Sequence, residues 1–241
     1  MPPIPTDLIQ ITENSPTSNR VFNMVVSDTA RRLPFGLRVP RGLDATSVPM
    51  MAKRVCDVGW SVLLLIVFAI PMLIIALLVK LTSNGPVIYK QSRVGQDGRV
   101  FELYKFRSMP IDAEQKTGPV WASKNDLRPT PIGRVLRRFS LDELPQLINV
   151  IRGDMSLVGP RPERPYFVKK FSSEYPTYAL RHRVRPGLTG WAQVRGWRGN
   201  TSLIHRLECD LEYIDRWSFV RDVYICLLTP WELMRGERGG R

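Results

Sequence analysis

VGWSVLLLIVFAIPMLIIALLV, residues 58–79, decides the architecture of this chain. About twenty consecutive apolar residues are what a helix needs to cross the hydrocarbon of a bilayer. Runs this long without a charge are rare in soluble cores, so the segment reads as membrane-embedded. Pro71 falls near its middle. A proline there removes one backbone hydrogen bond and clashes with the preceding turn, which favours a kink. Lys53 and Arg54 precede the run, while Lys80, Lys90, Arg93, Arg99, Lys105 and Arg107 follow it. The positive-inside rule places both flanks in the cytoplasm. A helix that dips in, kinks at Pro71 and returns to the same face satisfies both observations. A straight span with a tolerated proline is the alternative.

Residues 1–50 are polar, proline-dotted and without clear periodicity. They read as a flexible leader in which Arg31, Arg32, Arg38 and Arg41 make a basic tract. No secretory signal is recognisable at the start. Residues 51–81 hold the re-entrant helix, and residues 82–241 have the pattern of a compact surface-bound domain. Short strands are expected at 87–89 and 101–106 around the turn Gln96-Asp97-Gly98. Helical patterns occupy 132–138, 141–151, 166–174 and 204–217. The fold class is therefore α/β and mostly helical. The stretch 213–235 mixes Trp217, Phe219, Tyr224, Trp231 and Met234 with Arg216, Arg221 and Arg235. It suits either an amphipathic helix in the headgroup layer or an ordinary helix closing the domain.

A net charge of +13 over 241 residues implies a polyanionic partner: nucleic acid, anionic lipid, or substrates with several phosphates. Cys56, Cys209 and Cys226 lie too far apart for a zinc ribbon or a disulfide framework, which points to a reducing compartment. His182 and His205 lack metal-ligand company in sequence.

Chemistry concentrates in RRFSLDELPQL, residues 137–147. Ser140 followed by Glu143 fits a capping box, with Ser140 as N-cap. Asp142 and Glu143 then fall in the first turn of an apolar helix, where the dipole and free amides keep carboxylates ionised. An ionised aspartate can attack phosphorus, and its neighbour can hold Mg²⁺. Arg137 and Arg138 stand one turn upstream, positioned to neutralise phosphate. A capped helix that merely starts with acidic residues is the bland alternative. In the following loop, Pro160 and Pro162 fix the backbone on both sides of Arg161. Arg185-Pro186-Gly187-Leu188-Thr189-Gly190-Trp191 shapes a pocket or makes turns, and Asp210, Glu212 and Asp215 read as a solvated helix face.

KRVCDVGWS (53–61) with its proline-broken apolar run, GPVIYKQSRVG (85–95), YKFRSM (104–109), SLDELPQLINVIRGDMSLVGPRPE (140–163) and RPGLTGWAQVRG (185–196) resemble the bacterial sugar transferases. These are monotopic phosphoglycosyl transferases that load a polyprenyl phosphate carrier. The resemblance runs from about Lys53 to the C-terminus with its motifs in order. It implies that Asp142 attacks the β-phosphate of a UDP-sugar and releases UMP, and that polyprenyl phosphate then takes the phosphosugar from the aspartate. It also implies that Glu143 binds Mg²⁺, that Arg137, Lys105 and Arg161 contact phosphates or support the pair, and that Pro71 is the break of the re-entrant helix. Arg138 joins the phosphate-binding set.

Glucose or galactose is the expected sugar, from the likeness of GWRGNTSL through EYIDRWSF to exopolysaccharide and O-antigen starters. The resemblance further implies residence on the cytoplasmic face of the bacterial inner membrane, contact with anionic lipids, a possible homodimer and no nucleic-acid partner. It departs at Ile70, where the family usually places serine. Only a short leader precedes the catalytic part, as in a minimal member or a catalytic fragment of a longer type. Two non-enzymatic readings compete: an anionic-lipid or nucleic-acid adaptor, and a membrane-bound scaffold. Neither needs an Asp-Glu pair among arginines.

Overall fold

The computed structural model describes residues 47–113, 118, 128–199 and 201–235. The leader's basic tract therefore lies outside the described residues. The apolar run forms two helices, α1 (Val48–Val67) and α2 (Ala69–Thr82), bent by 63°. Pro71 has no N–H for the carbonyl of Val67, and its ring crowds that carbonyl, so the ladder breaks just beyond it. The kink expected at Pro71 accordingly sits at Phe68, whose carbonyl restarts the ladder by accepting from the Met72 amide at 2.8 Å. Helix α1 also starts at Val48 rather than 51, with Pro49 in its first turn, a position that needs no amide donor. Among the described residues no single helix is long and apolar enough to cross a membrane, and the bent pair passes that test only together.

An antiparallel hairpin follows, β1 (Ile88–Val94) and β2 (Val100–Phe106), with Lys105 opposite Tyr89. Its turn is the expected Gln96–Gly98, where Asp97 adopts a left-handed backbone. Helix α3 (Pro131–Arg138) is capped by the Thr130 hydroxyl, which accepts from the Gly133 amide. The capping box expected at Ser140 does not form. Ser140 is left-handed at φ 54°, and residues Leu141–Glu143 make a 3₁₀ turn before α4 (Gln146–Arg152). Pro145 explains the difference. It cannot donate to Leu141, so the chain tightens into bonds from Leu144 to Leu141 and from Leu147 to Leu144.

The remaining elements are β3 (Ser156–Val158), α5 (Pro165–Glu174), a 3₁₀ segment Pro176–Arg183, β4 (Gly187–Thr189), α6 (Trp191–Val194), α7 (Leu203–Asp215) and α8 (Phe219–Arg235). Strands β3 and β4 pair in parallel. The fold is thus mostly helical with two small sheets, as the sequence implies. Val94, Phe167, Phe171, Tyr178, Leu180, Leu207 and Leu211 form the largest buried cluster.

Helix α1 docks on this unit through charge rather than through its apolar side. Lys53 Nζ donates to Asp222 Oδ2 at 2.6 Å, and Asp222 also accepts from the hydroxyl of Tyr213 and the indole of Trp217. Arg54 donates to the carbonyls of Val150 and Ile151 at the end of α4, and Asp57 accepts from the hydroxyl of Ser156. On α2, Ile75 and Val79 are buried with Phe106 and Leu136, while Ile70, Leu73 and Leu81 are each at least 70% exposed. Helix α8 likewise exposes Val220, Leu227, Trp231 and Met234, so the closing segment is helical with one bare apolar face.

Removing one member of a buried charge network leaves its partners unbalanced and costs about 3–5 kcal/mol. Lys53→Met, which takes away the ammonium facing both Asp57 and Asp222, is expected to lower stability by that amount in urea unfolding followed by tryptophan fluorescence.

Candidate active site

The 3₁₀ turn that Pro145 imposes carries Asp142 and Glu143 at the entrance of α4. Strand β2 brings Lys105 to them, and the loop after β3 brings Arg161. Glu143 Oε1 accepts from Lys105 Nζ at 2.8 Å and from Arg161 Nη2 at 2.5 Å, while Oε2 accepts from Arg161 Nη1 at 3.2 Å. Fork-to-carboxylate contact of this kind is the strongest hydrogen-bonded ion pair that side chains make. Burial works against the charge, yet Arg161 and Lys105 outweigh it and hold Glu143 well below the usual carboxylate range. The same burial pushes the Lys105 ammonium down, with Glu143 opposing.

Asp142 is different. It is 6% exposed, and among the described residues none donates a hydrogen bond to its carboxylate. Burial raises its pKa, Glu143 adds to the rise, and the charges of Lys105, Arg137 and Arg161 oppose it. Two adjacent carboxylates are thus driven apart, one ion-paired and one held back, the arrangement expected where one of them reacts.

Arg161 is gripped from behind more firmly than its flanking prolines alone would hold it. Arg181 donates to the Arg161 carbonyl at 2.9 Å and is itself paired with Asp210 at 2.7 Å. Arg93 donates to the Pro162 carbonyl at 3.0 Å, and Glu163 pairs with both Arg93 and Arg206. Asp210 therefore belongs to a buried lattice and not to a solvated face. Glu212 is partly covered, bonded to Trp191 and Arg221, while Asp215 is exposed as expected. The Gly187 segment packs behind the same loop: its amide donates to the Pro160 carbonyl, and a Cβ there would lie 2.1 Å from the Gly159 amide nitrogen. Close backbone approach, rather than a turn or a pocket wall, accounts for this glycine.

Of the residues named from sequence, Asp142, Glu143, Lys105, Arg161 and the charge of Arg137 come together. Arg138 does not join them; it is exposed, with its guanidinium 5.6 Å from the ring centre of Phe139. Pro71 acts at a distance, through the bend at Phe68. Three further groups near the pair have no site role in the sequence reading. Arg198 lies close enough for its charge to favour ionised Glu143, and Arg93 and Gln146 line the space beside Lys105 and Arg161. Gln146 stands inside the DELPQ motif and Arg93 inside YKQSRVG, so the motifs were the available signal.

The donor set can be tested against Mg²⁺. That ion favours one or two carboxylates, with water and substrate phosphates completing the octahedron. Among the described residues no group of three or more acidic, histidine or cysteine side chains is present, but Asp142 and Glu143 supply the pair. They fit an ion held jointly with phosphates. Glu143 would join by yielding one of its cation contacts.

The site is thus a buried carboxylate pair ringed by cations, in a chain that also carries a bent apolar helix pair. The chain belongs to the bacterial sugar transferase family, whose profile matches residues 48–236. It is 45% identical over 191 residues to the UDP-glucose:undecaprenyl-phosphate glucose-1-phosphate transferase of Escherichia coli K12, covering 78% of this chain and 41% of that one. The protein of the same description from Caulobacter vibrioides is 46% identical over 190 residues, 76% and 70% of the two chains. A UDP-N-acetylgalactosamine-undecaprenyl-phosphate N-acetylgalactosaminephosphotransferase from Aeromonas hydrophila is 44% identical over 186 residues, 76% and 44%. The chain spans about two fifths of the length of the first curated relatives it matches.

The two carboxylates should respond oppositely to neutralisation. Glu143 has a depressed folded pKa, so its stabilisation is present above the unfolded value of about 4.3 and is lost as pH falls through the folded one. Asp142 has a raised folded pKa, so it destabilises once pH exceeds the unfolded value of about 3.9. At pH 7, Asp142→Asn is expected to raise Tm by about 3 °C and Glu143→Gln to lower it by at least as much, read by thermal unfolding in detergent.

Proposed function

We propose that this chain transfers a sugar 1-phosphate from a UDP-sugar to polyprenyl (undecaprenyl) phosphate through a covalent intermediate on Asp142. The observation that carries the reading is Asp142 itself: a buried carboxylate to which none of the described residues donates a hydrogen bond, beside one that takes the salt bridges. A nucleophile needs its lone pairs uncommitted, and Glu143 leaves them so by engaging Lys105 and Arg161.

In the first step an Asp142 oxygen attacks the β-phosphorus of the UDP-sugar. The bond from that phosphorus to the bridging oxygen breaks, and UMP leaves with the electron pair. In the second step an oxygen of polyprenyl phosphate attacks the same phosphorus and expels the Asp142 carboxylate, giving polyprenyl diphosphate sugar. Lys105, Arg137 and Arg161 stabilise charge on the transferring group in both steps. Mg²⁺, which Glu143 would hold together with the substrate phosphates, would supply further neutralisation of the diphosphate.

The relatives named for glucose favour UDP-glucose over UDP-galactose as donor, and the relative named for N-acetylgalactosamine keeps the acetylated sugar in the panel. Location follows from the lipid substrate. The bare apolar faces of α2 and α8 suit burial in a membrane, with α1 and α2 dipping into the cytoplasmic leaflet and returning, so that the site meets the carrier at headgroup level.

The full chain in nanodiscs, given Mg²⁺, undecaprenyl phosphate and a panel of UDP-sugars, is expected to release UMP. Asp142→Asn should reduce that release by about 10³-fold or more. The acid limb of the pH–rate profile should lie above the ordinary aspartate value of about 3.9, because burial raises Asp142. Absence of UMP with every sugar from folded protein would overturn the assignment.

A further inference from the structure

A small cavity beside the Glu143 ion pairs is bounded by Arg93, Leu103, Lys105, Gln146, Arg161 and Pro162. Its volume is about 10 Å³, room for one water-sized group. Two of the lining side chains carry buried N–H groups without partners. Gln146 is 1% exposed and its Nε2 amide makes no hydrogen bond; the Nε of Arg93 is also buried and unmatched. The other nitrogens of Arg93 are committed to the Pro162 carbonyl and to Gln91 Oε1. Interiors rarely leave donors unsatisfied, and such groups call for a ligand or a water.

The chemistry of the wall favours an anion. Lys105, Arg161 and Arg93 are cations, Gln146 offers an amide, and Leu103 and Pro162 add only apolar surface. A water would accept two hydrogen bonds and then turn its own hydrogens toward cations. A phosphate oxygen accepts several donors at once and can compete with Glu143 for Lys105 and Arg161.

We infer that this cavity is an oxyanion pocket that receives one non-bridging oxygen of the transferring phosphoryl group, with Gln146 as its neutral donor. The inference rests on the phosphoglycosyl transfer reading and adds two residues to it. Gln146 follows Asp142 by four positions, across the turn that Pro145 imposes, so nucleophile and donor are fixed by one short stretch of chain. As Asp142 attacks, charge gathers on the equatorial oxygens of phosphorus, and a donor fixed beforehand binds that state more tightly than the ground state. Arg93 braces the pocket from β1 and contributes its Nε. Gln146 acts on the reacting group directly and is a catalytic residue in that sense.

Gln146→Met keeps most of the volume and removes the donor, and Gln146→Glu keeps the shape and reverses the polarity. The full chain in nanodiscs is assayed for kcat and KM of UMP release, and separately for the rise in Tm on adding inorganic phosphate alone. We expect kcat to fall about 10²-fold in Gln146→Met, with KM for the UDP-sugar changed by less than about threefold. The phosphate-induced rise in Tm should persist in Asp142→Asn and vanish in both Gln146 variants. Wild-type kcat and phosphate binding in Gln146→Met would overturn the pocket while leaving the transfer reading intact. A lower Tm with kcat and phosphate binding unchanged would make Gln146 merely structural and also overturn it. Phosphate binding that depends on Gln146, in a wild type that releases no UMP, would support the pocket and sink the transfer reading instead. Should Gln146→Met not fold, the same readouts on Gln146→Glu decide.

Discussion

Glu143 is 8% exposed and faces two cations from distant parts of the chain, Lys105 on β2 and Arg161 in the loop after β3. Without that carboxylate the two cations would repel across a buried space, although Asn149 would still bond β2 to α4 and Arg181 would still hold the loop. With Glu143, three segments meet at one point. The contact is costly in desolvation, and it holds because every oxygen of Glu143 has a donor. Its geometry then dictates that of its neighbours. Asp142 is one residue away on a tight 3₁₀ turn, so it sits inside the same ring of charge without sharing the bonds.

The constraint extends outward through arginine. Arg181 holds the backbone of Arg161, Asp210 holds Arg181, and Glu163 ties Arg93 to Arg206. These are planar forks matched to carboxylates and carbonyls, which lysine could not reproduce. Much of the positive excess of the chain is surface charge, but this portion is architecture. At the other side, Lys53, Arg54 and Asp57 bind α1 to α4, β3 and α8 with the same vocabulary. The helix that leads into the apolar pair and the helix that follows the catalytic turn are therefore rigidly joined. The bare apolar surfaces of α2 and α8 are thus held in fixed relation to Asp142 by this joint.

What the sequence reveals divides along physical lines. The apolar run, the hairpin around Gln96–Gly98 and the helices near 132–138, 166–174 and 204–217 follow from periodicity and turn chemistry, and they are legible. Asp142, Glu143, Lys105 and Arg161 are legible because motif resemblance and charge agree. The break at Phe68 was misplaced at Pro71, since proline disrupts the turn before it rather than its own position. The capping box failed because Pro145 overrode a local signal at Ser140. Asp210 was misjudged for a different reason: its partner Arg181 lies far along the chain, and no local pattern separates an aspartate on a wet face from one buried against a distant guanidinium. The parallel pairing of β3 with β4 is likewise non-local, and three-residue strands leave no period to read.

On the reading proposed above, the pairing of Asp142 with Glu143 sets the reacting carboxylate next to one held in ion pairs. An isolated buried aspartate among three cations would form the salt bridges itself, and its lone pairs would then be bound to N–H groups when phosphorus arrived. Moving the cations away would free the aspartate but leave the phosphates without charge compensation. Glu143 resolves the conflict by occupying the cations in the resting site, in contacts that a diphosphate can compete for. The same logic explains why Asp142 has a raised pKa while Glu143 has a depressed one, although they are adjacent in sequence and equally buried. Burial acts on both; only Glu143 has the hydrogen bonds that offset it. If Asp142 is the nucleophile, keeping it short of such bonds exchanges stability for reactivity, and the lattice around Arg161 is what lets the fold tolerate it.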